Sequence, residues 1–243
     1  MNFRTQRPLF EVEPAHARLT SPWQNYPPLK PQSGCSHSKE ERSVLIDFSP
    51  IASQAIKMAQ FAQSFTLDQL RDGTNASINH ILGIIREADD RAVTFVPHDP
   101  HAYDPYAAPD EQHIGWTLGH IVAHVTASSE ENAAVASVLA RGIAYPREPR
   151  LRYETPWREL TTKLAVVQRL EESRRIRLGY LAAFPDKPNL TVLREVSERS
   201  LERHGPQNAI ATFLLGLNHE SQHFDQMREA LRQAQAAASV SER

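Results

Sequence analysis

The residues of this chain best suited to chemistry are histidines set four apart. The segment NHESQHFDQM holds His219 and His223, and GWTLGHIVAHVTAS holds His120 and His124. Four residues of α-helix make about 400° of rotation, so the two imidazoles of each pair project from one face, with Cβ atoms roughly 6 Å apart. Two ring nitrogens at that spacing reach a single divalent ion at about 2.1 Å each. A single histidine on an apolar face is more often a hydrogen-bonded core residue than a ligand. Two pairs on separate helices favour a metal site, with His219 and His223 as the first two ligands.

The string His219-Glu220-Ser221-Gln222-His223 also satisfies H-E-x-x-H, in which the glutamate is the general base of a zinc protease. Such an enzyme draws a third ligand from further along the chain. No histidine follows His223, which leaves Glu229 and Glu242 as weak substitutes. A protease is therefore the remotest alternative. Glu220 is the candidate catalytic base, or a carboxylate that orients the ligands; the plainer reading is a solvated or salt-bridged surface glutamate. Arg174 continues an apolar stripe and so either reaches towards an anionic substrate or pairs with Glu130, Glu131 or Glu171.

These residues need helices to hold them, and the apolar periodicity supplies four. Thr66 with Gln69 reads as a capping box, opening a helix over 66–89 with Leu67, Leu70, Ile78, Ile81, Leu82 and Ile85 as its stripe. A second helix runs from Trp116 to about Arg141, where Gly142 is a natural stop. Thr155-Pro156 reads as a cap followed by a proline in the first turn, predicting a third helix over 156–183 with Leu160, Leu164, Val167, Leu178 and Leu181 on one face. Pro206 opens the fourth, striped by Ile210, Phe213, Leu217, Phe224, Met227 and Leu231. The pattern predicts an all-α fold, a four-helix bundle with long connections at 90–115 and 184–205. His98, His101, Tyr103 and Tyr106 lie in the first connection, where they either cover the site or pack the loop onto the bundle.

Residues 1–45 differ in kind. Pro8, Pro14, Pro22, Pro27, Pro28 and Pro31 precede QSGCSHSKEERS without a persistent period, as expected of a flexible extension. Residues 46–65 read as a linker or a short helix from Pro50 to Gln63, residues 66–236 as the bundle, and 237–243 as a tail. Cys35 lies in the extension, which argues against a role in the core or as a reactive thiol.

With both histidine segments in view, the chain resembles the DinB-like superfamily, a metal-binding helical bundle related to bacterial thiol-dependent transferases and distinct from the DNA polymerase of the same name. The resemblance covers roughly Thr66 to Gln235. It rests on Trp116 opening a helix with His124 eight residues on, and on His219 and His223 followed three positions later by Gln226. It implies His124, His219 and His223 as ligands of one divalent metal. His120 holds a position that varies in the family and is the reserve ligand, a partner of a ligand, or a substrate contact. Gln226 is implied as a neighbour of the ligands. The resemblance also makes a low-molecular-weight thiol a possible cofactor.

Bulk properties exclude several classes. The 243 residues carry a formal charge of −2, with 40% hydrophobic and 23% charged residues. There is no basic stripe for nucleic acid, and no stretch approaches the roughly 20 apolar residues of a membrane span. The first residues lack the apolar core of a secretory signal, and a single cysteine cannot form an intrachain disulfide. The expected location is the cytoplasm. Three neutral imidazoles leave coordination positions open, as in a catalytic site, and they suit zinc, nickel or iron(II) alike. The expected function is that of a metal-dependent transferase or hydrolase acting on an unknown small molecule, with thiol dependence as what the resemblance implies. The alternative is a non-catalytic metal-binding or interaction bundle, with a homodimer as a possible assembly.

Overall fold

The computed structural model describes residues 44–105 and 107–241. Cys35, Tyr106, Glu242 and nearly all of the expected 1–45 extension lie outside them. The described residues are helical and contain no strand. In chain order the helices are α1 (Ser49–Ala52), α2 (Met58–Phe61), α3 (Leu67–Arg86), α4 (Asp90–Thr94), α5 (Leu118–Ala140), α6 (Lys163–Ala182), α7 (Glu198–His204), α8 (Ala209–Gln222) and α9 (Phe224–Ser241). Helices α3, α6, α5 and α8 pack in a ring, each against the next, and α9 continues α8 along α3, α4 and α5. The expected all-α four-helix bundle is present.

Local chemistry accounts for the helix ends. Thr66 accepts from the Gln69 N–H while the Gln69 side chain accepts from the Thr66 N–H, the reciprocal box expected at the start of α3. Thr117 caps α5 through the His120 N–H, and Gly142 lies just beyond its end at φ 80°. Asp89 starts α4 as a separate helix, so the first expected helix ends at Arg86 rather than 89.

Three expectations about the helices are corrected. The short helix from Pro50 to Gln63 is two four-residue helices, interrupted where Gln54 takes a positive φ of 57°. The third helix does not begin at Pro156. A 3-10 turn at Trp157–Glu159 follows that proline, the chain breaks at Leu160, and Thr162 caps α6. Leu160 is buried in the loop, while Leu164, expected on the inner face, is exposed. The cause is a close approach: a Cβ on Gly119 would stand 2.4 Å from the Leu160 carbonyl oxygen, so that backbone lies directly on α5. The fourth helix starts after Asn208, whose side chain accepts from Ala211 N–H, not at Pro206. It is also divided at His223, whose N–H bonds the Glu220 carbonyl three residues back.

The apolar core is in two parts. One gathers Ile78, Ile81, Leu118, Ile121, Leu170 and Met227; the other gathers Leu70, Leu139, Leu181, Phe213, Leu214 and Leu217. Between them every helix of the ring contributes polar residues: Thr74 and Ser77 from α3, Thr126 and Ser129 from α5, Ser173 and Arg177 from α6, Asn218 and Glu220 from α8.

Candidate metal centre

His124 from the second turn of α5, His219 from the last turn of α8, and His223 at the α8–α9 break come together. One ring nitrogen from each lies within 4.8 Å of the other two. The imidazoles are mutually tilted, with centroids 4.8–5.3 Å apart. The Nε2 atoms of His124 and His219 are 3.0 Å apart, close enough to share a proton or flank one ion. This is a donor set of three imidazoles held by two helices, and it fits a divalent cation.

Electrostatics keep these rings neutral, the charge state a metal ligand requires. Burial, followed by the neighbouring His219 and Arg152 charges, lowers the His124 pKa to about 2. Burial, then His223 and Arg152, lowers that of His219 to about 4. Burial also lowers His223, opposed by its hydrogen bond with Gln226 and by the charge of Glu220. His223 Nδ1–H donates to Gln226 Oε1 at 2.7 Å. An amide oxygen can only accept, so the proton sits on Nδ1 and the Nε2 lone pair is left for an ion.

His120 is not part of the cluster. Its ring is clasped between Trp116 (centroids 4.4 Å apart) and Trp157 (4.7 Å, 8° from parallel). Trp116 in turn lies parallel to His223 at 6.0 Å. His120 therefore belongs to an aromatic wall running from the histidine cluster along a cavity. Burial lowers its pKa as well.

The cavity holds about 680 Å³ and has His120, His124 and His219 in its lining, a size usual for small-molecule sites. Asp104, Glu111 and Trp116 come from the 95–117 connection; Arg150, Arg152, Glu154, Trp157 and Arg158 come from the segment after α5. Arg158 pairs with Glu111 across the mouth and lies 4.1 Å from the Trp157 ring centre. Gly115 lets the first connection close, since a Cβ there would meet the Pro97 carbonyl oxygen at 2.0 Å. Arg152 donates to His124 Nδ1 at 3.2 Å, to Ser128 Oγ and to Glu154, and Glu154 Oε2 is 3.9 Å from the same Nδ1.

The other residues expected at the site lie elsewhere. Glu220 is fully buried and does not line the cavity. Its Oε1 accepts from Arg177 Nη1 at 2.9 Å and its Oε2 from Ser77 at 2.6 Å. Its carboxylate is thus committed to an internal pair. Arg174 bonds Glu171, Asn75 and Asn79 on the bundle flank, following the ion-pair reading. Neither His98, His101 nor Tyr103 lines the cavity, although the same connection supplies other wall residues.

Arg150, Arg152, Glu154 and Trp157 were not identified from the sequence. They fall in a stretch whose only visible signal was Thr155-Pro156, read as a helix start. An aromatic and two arginines flanking a proline, with Thr162 as an alternative cap, would have placed them in a loop.

The family model of the DinB superfamily matches residues 58–227 of this chain. Neither the curated proteins nor the solved structures gave a significant match. Among the described residues, no helix is long and apolar enough to cross a membrane.

Proposed function

This chain belongs to the DinB superfamily, and from that premise we propose that it is a metal-dependent enzyme of the transferase or hydrolase type. His124, His219 and His223 hold one divalent ion, and a small-molecule substrate enters the adjoining cavity. The observation that carries this reading is the three-imidazole cluster beside a cavity of about 680 Å³. A purely structural metal would be closed off by a fourth protein ligand.

The bound ion would lower the pKa of a coordinated water or thiol and supply a nucleophile near neutral pH. The chain's own residues position the rest. Gln226 holds the His223 proton on Nδ1, Trp116 packs against His223, and the Arg158–Glu111 pair narrows the mouth. In this reading Glu220 is a positioning residue, anchoring α8 between its two histidines from inside the bundle, and His120 shapes the substrate wall. A low-molecular-weight thiol is the co-substrate that the metal and the family allow.

The test starts with the metal content of purified protein. Near one equivalent is expected, falling sharply in His219→Ala and His223→Ala while the helical circular dichroism persists. Metal content that ignores both substitutions overturns the reading. In cobalt-substituted protein, azide or a small thiol should perturb the visible spectrum. A spectrum indifferent to every small ligand replaces the enzyme with a structural metal bundle.

A further inference from the structure

Behind His219, away from the aromatic wall, a second and smaller cavity of about 300 Å³ shares Ser128, Arg150 and His219 with the first. Its character is different. Arg150, Arg194 and Arg203 line it, and the lone carboxylate among the lining residues is Glu131. That carboxylate is already bound: Arg150 donates to it with two nitrogens.

Arg194 has no carboxylate partner among the described residues. Its Nη1 donates to the neutral Asn132 side chain at 2.7 Å. Burial pushes its guanidinium below the ordinary arginine range, opposed by the charge of Glu131 and reinforced by that of Arg150. Arg203, on α7, is an exposed lining residue with no ion pair among the described residues. Asn218 of α8 is a further wall residue. It is 4% exposed, lines this chamber, and its amide makes no hydrogen bond with any described residue. That amide faces the chamber as a free donor and acceptor for a guest. A guanidinium facing a cavity without a counter-ion is likewise suited to binding one, since planar forked donors match carboxylate and phosphate oxygens.

We propose that this chamber binds the oxyanion group, carboxylate or phosphate, of a small-molecule substrate, held by Arg194, Arg203 and the Asn218 amide. Because the two cavities meet at His219, a substrate anchored there extends its uncharged remainder over the histidine cluster. This last step rests on the metal reading given above; anion binding itself does not.

Isothermal titration calorimetry of the metal-loaded protein tests it, with succinate and inorganic phosphate as the two anionic probes and succinamide as the neutral control. Saturable binding of at least one anion is expected, with succinamide much weaker. Arg194→Gln and Arg203→Gln should each weaken the anion about tenfold or more at unchanged metal content. Arg203 is exposed, so its variant keeps the test decisive if Arg194→Gln fails to fold. His223 does not line the chamber, and His223→Ala should bind the anion as the parent does even after losing its metal. Whichever anion prevails distinguishes a carboxylate substrate from a phosphate one. The proposal is overturned if neither anion binds, if succinamide binds equally well, or if the arginine variants bind like the parent. It is equally overturned if binding vanishes with the metal in His223→Ala, because the anion then sits on the ion.

Discussion

His219 and Glu220 are consecutive residues of α8, yet they belong to two polar clusters built on opposite electrostatic terms. Glu220 faces inward, where its carboxylate and Arg177 compensate one another with 0% and 1% of their side chains exposed. His219 faces the cavity among two other histidines, with Arg152 rather than a carboxylate as the nearby charge that shifts it. The first cluster is a charged pair that has its counter-ion inside the fold. The second is a set of neutral donors that burial and like neighbours prevent from charging, which suits it to a cation from outside. One helix turn of sequence thus carries both an anchor and a candidate binding site, because successive side chains on a helix point about 100° apart.

The comparison breaks most visibly at the anchor. Glu220→Gln leaves Arg177 buried without its counter-charge, and one of its nitrogens, Nη2, already lacks a partner. A loss of about 3–5 kcal/mol is expected in chemical denaturation, the usual cost of removing one member of a buried pair. The double variant Arg177→Met, Glu220→Leu should recover most of that stability. A single variant that unfolds like the parent would mean that the pair is not an anchor.

Acid should act on the other cluster. The His219 pKa is lowered from 6.5 to about 4 and that of His124 to about 2. A group held below its unfolded value contributes stability that is complete above pH 6.5 and lost as pH falls towards the folded value. Metal-free protein is therefore expected to lose melting temperature progressively from about pH 6.5 downward. In His219→Ala that slope should be shallower. An unchanged slope would show that the histidines are not kept neutral by the fold.

How much of this was legible beforehand follows from the same contrast. Histidine spacing is a local property, so His124, His219 and His223 could be found from periodicity and a family resemblance, and the structure gathers those three. The role of Glu220 depends on Ser77 and Arg177, distant in sequence, and an H-E-x-x-H string carries no trace of them. The ring of four long helices was legible because their stripes are long. The segment around Trp157 was not, because Thr155-Pro156 resembles a cap until the contact between Gly119 and Leu160 forbids a helix there. The arginine chamber was hidden for the same reason: its residues come from α5, α7, α8 and two connections.

The partners of the histidines provide a finer test of the open cluster. Gln226→Ala removes the acceptor that holds the His223 proton on Nδ1. Metal affinity should fall about 10- to 100-fold, the usual range for such a partner, with little change in the stability of metal-free protein. Gln226→Glu should restore the acceptor and most of the affinity. Equal affinity in all three proteins would place the His223 ligand atom elsewhere on the ring.

The smallest expected effects concern His124, and they carry opposite signs. Arg152 donates to His124 Nδ1 at 3.2 Å, which places the ring proton on Nε2, facing His219. A ring in that tautomer cannot offer Nε2 to a cation without moving the proton to Nδ1, and Glu154 Oε2, 3.9 Å away, is the carboxylate oxygen that would have to move in to accept it. Arg152 therefore opposes metal binding twice, by its hydrogen bond and by its charge, whereas Glu154 favours it. Competition with a chromophoric chelator should show affinity rising several-fold in Arg152→Gln and falling several-fold in Glu154→Gln. If both variants shift the same way, the pair merely shapes the cavity wall. Opposite shifts would mean that His124 is held in a form adapted to the neutral cluster and is converted to a ligand as the cation arrives.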